Sequence, residues 1–203
     1  MSQTFFHITF IIIFIAFMGI RAYYFRKAQQ QGGKAVFKEE KMTKIRRTIG
    51  WIFPVTLFTY MIYPSILEWA TFPFPEWAQW AGVALGLASI ALIWWIQWAL
   101  DLNFAVILHV REKHTLVQHG PYRWVRHPMY TTLYLHGLST LLLTRNWLVG
   151  GLYLLALTLI VVFRLKNEEA TMIEKFGDEY RTYMRQTGRF LPHFFLWLRR
   201  SAS

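Results

Sequence analysis

Two stretches of this 203-residue chain concentrate the side chains that could do chemistry. The first, HVREKHTLVQHGPYRWVRHPMY over residues 109–130, carries His109, His114, His119 and His127 with Arg126 beside the last. The second holds Arg164, Lys166, Glu168 and Glu169. A helical metal site needs paired ligands four apart on one face. His109 and His114 are five apart, and His119 and His127 are eight apart, so no metal site is expected. The chain has no cysteine, which excludes disulfide scaffolds, thiolate metal sites and cysteine nucleophiles together. It also lacks a Gly-rich dinucleotide fingerprint, a phosphate loop and a nucleophile elbow. What remains is charge pairing and hydrogen bonding. Glu168 and Glu169 are adjacent, so on a helix they point about 100° apart and can serve different partners. Arg164 and Glu168 are four apart and suit an i,i+4 ion pair, or Arg164 snorkels to an interface.

The elements that position these groups are apolar. The composition is 55% hydrophobic and 18% aromatic but only 16% charged, against about 25% in a soluble domain, and the mean hydropathy is +0.27. A membrane-spanning helix needs about 20 apolar residues. Runs at 4–24, 49–70 and 77–100 meet that length, the second containing Pro54 and Pro64. Two shorter runs, 129–144 and 147–163, are separated only by Arg145-Asn146 and read as a helical hairpin. The expected fold is therefore an all-α integral membrane protein of five spans. Spans four and five form the hairpin, and an amphipathic helix at 166–186 lies on the cytosolic face, with Ile173, Phe176, Tyr180 and Tyr183 recurring at spacings of three and four. The chain reads as a single membrane domain over 1–203. Residues 1–100 supply three spans and a basic loop at 26–47, and residues 101–203 form the cofactor-binding and catalytic half.

The net charge of +11 falls in the 26–47 loop, the 101–128 segment and the tail after Phe163. With five spans these segments share one side, which places the N-terminus outside and the C-terminus in the cytosol. The location is a cell membrane or an endoplasmic-reticulum-type membrane. The basic residues then face anionic lipid headgroups rather than nucleic acid. Gly120-Pro121 signals a turn, and Pro128 suits the first position of a helix, where its missing N–H costs nothing. Arg126 and His127 thus stand where the fourth span begins, at the end of the helix dipole that favours an anion. A plain basic collar at the membrane edge would carry the same residues.

Taken in order, LVQHGPYRWVRHPMY, a helical hairpin and RLKNEEATMIEKFGDEYRTYMRQTGRFLP resemble the isoprenylcysteine carboxyl methyltransferase family. The resemblance covers about residues 105–193, and its compactness suggests a prokaryotic form, archaeal or bacterial. Residues 1–100 match only in hydropathy. The resemblance implies S-adenosyl-L-methionine as cofactor, with S-adenosyl-L-homocysteine as product, held at the cytosolic membrane surface. It implies that Leu116, Val117, Gln118, His119, Gly120, Pro121 and Tyr122 line the adenosine, that His127, Met129 and Tyr130 flank the methionine part, and that Glu168 meets its ammonium. Arg164 and Glu169 match the family's catalytic arginine and glutamate on the side of a lipophilic acceptor that enters from the bilayer.

The chemistry is coherent on its own terms. Methyl transfer from a sulfonium to a carboxylate consumes opposite charges, which a dry site favours, and a carboxylate with a pKa near 4 needs no general base at pH 7. Other readings are a methyltransferase acting on a phospholipid amine or an isoprenoid acid, a sterol-reductase-like enzyme that binds NADPH, and a non-catalytic membrane scaffold.

Overall fold

The computed structural model describes residues 3–30, 44–100 and 115–193. Among them the chain is all-helical, and the only strand-like pairings are two isolated bridges. Six α-helices follow in order: α1 Gln3–Gln30, α2 Lys44–Ile62, α3 Glu76–Leu100, α4 Pro128–Thr144, α5 Trp147–Phe176 and α6 Asp178–Gln186. Among the described residues two 3₁₀ turns interrupt them, Pro64–Ala70 and Gly120–Arg123. Among the described residues three helical stretches are long and apolar enough to cross a membrane: Gln3–Lys27, Glu76–Leu100 and Trp147–Phe176. Apolar side chains are also left facing outward along them. On α1, Ile8, Ile12 and Ile15 are 50%, 61% and 60% exposed, far more than water would tolerate in a row. The chain is an integral membrane protein.

Two expected boundaries change. The run at 49–70 is not one helix: α2 stops at Ile62, and Pro64 opens the 3₁₀ turn instead. The residue before a proline is pushed out of the helical region, and Tyr63 sits at φ −133°, ψ 70°. The amphipathic stretch at 166–186 is likewise not a separate surface helix. Its first part continues α5 without a break to Phe176, and Gly177, at φ 53°, turns the chain into α6. Glycine reaches that left-handed conformation without strain. The 101–114 segment, with His109, Arg111, Lys113 and His114, lies outside the described residues, as do 31–43 of the basic loop and the tail from 194.

Contacts divide the chain into two compact units. The first comprises residues 1–19, 38–91 and 133–161. Its core is a stripe on α1 at Phe6, Phe10 and Ile13, spaced four and three apart, packed with Leu57, Tyr60, Leu143 and Val149. The hairpin of α4 and α5 turns at Arg145-Asn146. Asn146 is fully buried and caps α5: its Oδ1 accepts from the N–H groups of Leu148 at 3.1 Å and Val149 at 3.0 Å. Its Nδ2 donates to the Leu67 carbonyl at 2.7 Å, so both amide atoms are paired. Gly150 lets the two helices close up, because a Cβ there would stand 2.5 Å from the Leu141 Cα.

The second unit comprises residues 20–37, 92–132 and 162–203. It takes the last turns of α3, the start of α4, the extended end of α5 and all of α6. Ile96, Leu100 and Tyr122 form its buried apolar centre, with Val117 and Met129 against them. The chemistry-bearing residues of the sequence that fall among those described lie in this unit.

Candidate active site

The end of α5 projects Glu168, Thr171, Met172 and Lys175 on one face, at i, i+3, i+4 and i+7. All four line a cavity of about 810 Å³, counting its open mouth. Opposite them stand Leu100, Leu116, Val117 and Tyr122, and Tyr180 and Tyr183 of α6 add an aromatic wall. Arg126 and His127 complete the polar end beside Glu168. A mostly apolar lining with a few polar groups is that of a small-molecule site.

Glu168 is held from two sides. Tyr130, in the first turn of α4, donates its hydroxyl to Glu168 Oε1 at 2.8 Å. Arg164, one turn earlier on α5, brings Nε to 3.4 Å of the same oxygen. The other oxygen, Oε2, lies 4.0 Å from Nδ1 of His127.

Glu169 turns the other way into a cluster of cations. Arg126 Nε donates to Oε1 at 3.3 Å. Arg189 grips both oxygens, with Nε to Oε1 at 3.2 Å and Nη2 to Oε2 at 2.6 Å. His127 Nε2 lies 3.4 Å from Oε1. Arg126 also donates through Nη1 to the carbonyls of Met184, at 2.8 Å, and Thr187. These bonds fasten the chain after α6 along the strand-like segment that leads into α4. The Arg126 N–H donates to the Gly188 carbonyl at 2.8 Å, and the His127 N–H to that of Arg189 at 3.1 Å. Thr131 adds a side-chain bond to the Phe190 carbonyl at 2.8 Å. Only glycine fits at 188, since a Cβ would meet the Leu191 carbonyl oxygen.

Burial sets the protonation of the surrounding groups. Desolvation raises the Tyr122 and Tyr183 phenols far above their ordinary value and pushes Tyr180 up to about 12. All three therefore stay neutral, and Tyr183 gives its hydrogen to the Tyr122 carbonyl at 2.6 Å. Desolvation lowers the His127 imidazole below its ordinary value and outweighs the pull of Glu169.

Of the cofactor residues expected from sequence, Leu116, Val117, Tyr122, His127 and Glu168 line the cavity. Met129 packs behind it against Ile96, Leu100 and Tyr122. Tyr130 reaches it through Glu168. Gln118, His119, Gly120 and Pro121 are not among the lining residues. Gln118 is exposed and donates to Glu179 at 3.1 Å, and Pro121 is buried in the 3₁₀ turn. Arg164 and Glu169 also stand off the cavity wall, Arg164 against Glu168 and Glu169 inside the arginine cluster. Sequence reasoning did not assign Thr171, Met172 and Lys175 to the site, although their spacing from Glu168 on a continuing helix marks them. Arg189 had no such signal, because its role depends on a return of the chain.

Residues 82–174 match the isoprenylcysteine carboxyl methyltransferase (ICMT) family. The protein-S-isoprenylcysteine O-methyltransferase of Mus musculus is 32% identical over 92 residues, which are 45% of this chain and 32% of that protein. The Schizosaccharomyces pombe enzyme of the same name is 34% identical over 97 residues, 48% of this chain and 41% of its own length. The alignment thus spans about a third to two fifths of these curated relatives. A methanethiol S-methyltransferase of Mycobacterium tuberculosis is 25% identical over 157 residues, 66% of this chain and 62% of that protein. Among solved structures, the eukaryotic intramembrane Ras methyltransferase ICMT superposes with a TM-score of 0.57 at 22% identity, over 91% of this chain and 67% of the other. The fold is therefore shared along nearly the whole chain, and residues 82–174, a little under half of it, are similar in sequence to the isoprenylcysteine carboxyl methyltransferase family.

Proposed function

We propose that the protein is a membrane-embedded methyltransferase that uses S-adenosyl-L-methionine to methylate the carboxylate of a lipophilic, prenylcysteine-like acceptor. The observation that carries this reading is that Glu168 and the apolar residues Leu116, Val117 and Tyr122 line one cavity. The residues suit the cofactor. A carboxylate fixed by Tyr130 and Arg164 matches the methionine ammonium, and the apolar and aromatic walls match a purine. When bound, the cofactor supplies an electrophilic methyl group on a sulfonium. The chain's own part is binding and positioning. Glu168 anchors the amino-acid end, His127 stands beside it as a neutral imidazole, and the clamp around Glu169 holds the cavity's α6 wall in place. Arg164 orients the acceptor carboxylate through its planar fork. No group has to remove a proton, because the acceptor is already ionised at neutral pH. Near-attack alignment then supplies most of the rate.

The match to a methanethiol methyltransferase favours a second acceptor class, a small thiol. A thiol has an ordinary pKa near 8.5 and gains from deprotonation, which a carboxylate does not need. In topology, we propose five spans with the N-terminus outside, the 71–76 turn outside, and the basic segments on the cytosolic side against anionic headgroups. The membrane is a cell or endoplasmic-reticulum-type membrane. The polar cofactor enters from the cytosol and the acceptor laterally from the bilayer, and 1–203 works as one membrane domain.

Calorimetry in detergent tests the central claim. S-adenosylhomocysteine is expected to bind and NADPH is not; binding of NADPH alone would make this a reductase. An acceptor panel of N-acetyl-farnesylcysteine, an alkyl thiol and a phospholipid amine then separates the acceptor classes.

A further inference from the structure

The cavity holds one charged group that the proposed reaction does not use. Lys175 lines it, and its Nζ is buried with no hydrogen-bond partner among the described residues. Its Nζ stands over the Phe176 ring, 4.9 Å from the centroid. A buried ammonium without a hydrogen-bond acceptor is costly, because its hydration is lost and an aromatic face replaces only part of it. Such a group is expected where a ligand completes its bonds.

Its place on α5 says which part of the ligand. Glu168 and Lys175 share one face of the helix, seven residues or about 10 Å apart. Glu168, held by Tyr130 and Arg164, marks the end that takes an ammonium. The α-carboxylate of an amino acid sits on the same carbon as that ammonium, whereas Lys175 starts two turns further along the helix, towards the other end of the ligand. What lies at that distance from the amino-acid end is the nucleoside. The cavity supports the same assignment with the apolar residues Leu116 and Val117 and with Phe176 beside Nζ.

We propose that Lys175 is a specificity-determining residue of the cavity, whose Nζ donates to an acceptor atom of the cofactor's nucleoside, on the base or the ribose. This rests on the methyltransferase reading and adds to it a contact that selects the nucleoside. It also predicts opposite effects on stability and on binding. Replacing Lys175 with an uncharged residue of similar length relieves the ligand-free protein while weakening the complex.

The test uses the full-length protein in detergent and two ligands, S-adenosylhomocysteine and 5′-methylthioadenosine, which keeps the nucleoside and lacks the amino acid. For Lys175→Met, Kd for both ligands is expected to rise by the same factor, about tenfold, while the ligand-free melting temperature stays level or rises. Lys175→Arg keeps a donor and is expected to stay within a few-fold of the parent. Glu168→Gln is expected to weaken S-adenosylhomocysteine and leave 5′-methylthioadenosine unchanged. If Lys175→Met weakens only S-adenosylhomocysteine, the ammonium reads the amino-acid end and the proposal is overturned. If it changes neither affinity, or lowers the ligand-free melting temperature, Lys175 is structural and the proposal is overturned. A parent protein that binds neither ligand overturns the methyltransferase reading itself, and is told apart by needing no variant.

Discussion

Glu168 and Glu169 are neighbours on α5 whose carboxylates serve separate assemblies. Glu168 accepts the Tyr130 hydroxyl at 2.8 Å and faces the cavity. Glu169 is bonded by Arg189 at 2.6 Å and Arg126 at 3.3 Å and fastens the chain that follows α6. The angular offset of about 100° between successive helical residues makes that division available without any change in backbone. Substitutions at the two positions should therefore fail in different ways.

At Glu168 the expected loss is in ligand affinity. Glu168→Gln keeps the size and the contact to Tyr130 but removes the charge. S-adenosylhomocysteine binding should weaken about tenfold to a hundredfold, the range of a hydrogen bond to a charged group, 1.5–3 kcal/mol. Tyr130→Phe leaves the carboxylate but frees its orientation, and about 1 kcal/mol or less should be lost. Titration calorimetry in detergent gives both numbers. A Gln variant with parental affinity would put the ammonium of the cofactor somewhere else.

At Glu169 the expected loss is in the fold. The side chain is only 9% exposed and satisfies two arginines, one of which is as buried as itself. Glu169→Ala strands those cations, and removing one partner of a buried pair costs about 3–5 kcal/mol. The segment around Gly188 should come away from residues 124–127, so limited proteolysis should cut after α6 in the variant and not in the parent. A variant protected to the parental degree would mean that the backbone bonds alone hold this segment.

His127 should make stability fall in mild acid. Desolvation lowers its imidazole below the unfolded value of about 6.5, with Arg126 and Arg189 acting in the same direction and Glu169 against. A group whose folded pKa is depressed contributes fully above the unfolded value. That contribution is lost as pH falls from about 6.5 through the folded value. The melting temperature should thus drop on going from pH 7 to pH 5, and His127→Gln, which cannot be protonated there, should flatten that part of the curve. Equal slopes for parent and variant would place the pH dependence on other groups.

The topology gives an independent check. Reporters fused after Ser203 should be cytosolic, and reporters inserted in 71–76 should be external. A C-terminus found outside would remove both the five-span count and the cytosolic cavity.

Much of this arrangement is legible in the sequence because it is local. Pro128 opens α4 because its missing N–H belongs at a helix start, and Asn146 caps α5 because its amide meets the first free N–H groups. The 100° offset of Glu168 and Glu169 follows from helix geometry alone. What the sequence hides is the partner of each residue. Arg126 sits in a motif yet works by bonding Glu169 and the Thr187 carbonyl, residues tens of positions away. Lys175 carries no signal of its own in the sequence, because the apolar period at Ile173, Phe176 and Tyr180 reads as a separate surface helix. Once α5 continues through to Phe176, the same residue falls on the face of Glu168 and lines the cavity.

Arg164 carries the sharpest test of the acceptor. Its side chain is about a third exposed and its Nε lies 3.4 Å from Glu168 Oε1. If the guanidinium orients a carboxylate, Arg164→Lys should fail as fully as Arg164→Ala, because an ammonium cannot reproduce the bidentate fork. Turnover should drop about a hundredfold, or about 3 kcal/mol of lost alignment and ion pairing. Cofactor affinity should change much less than in Glu168→Gln, since the proposed partner of the ammonium is Glu168 itself and Arg164 only stands behind it. An arginine that merely reaches the membrane interface predicts the opposite, because any long cation serves there and Lys restores the rate. A fully active Arg164→Lys enzyme would therefore take Arg164 out of the reaction. It would also favour an acceptor without a carboxylate, for which the planar fork has no use.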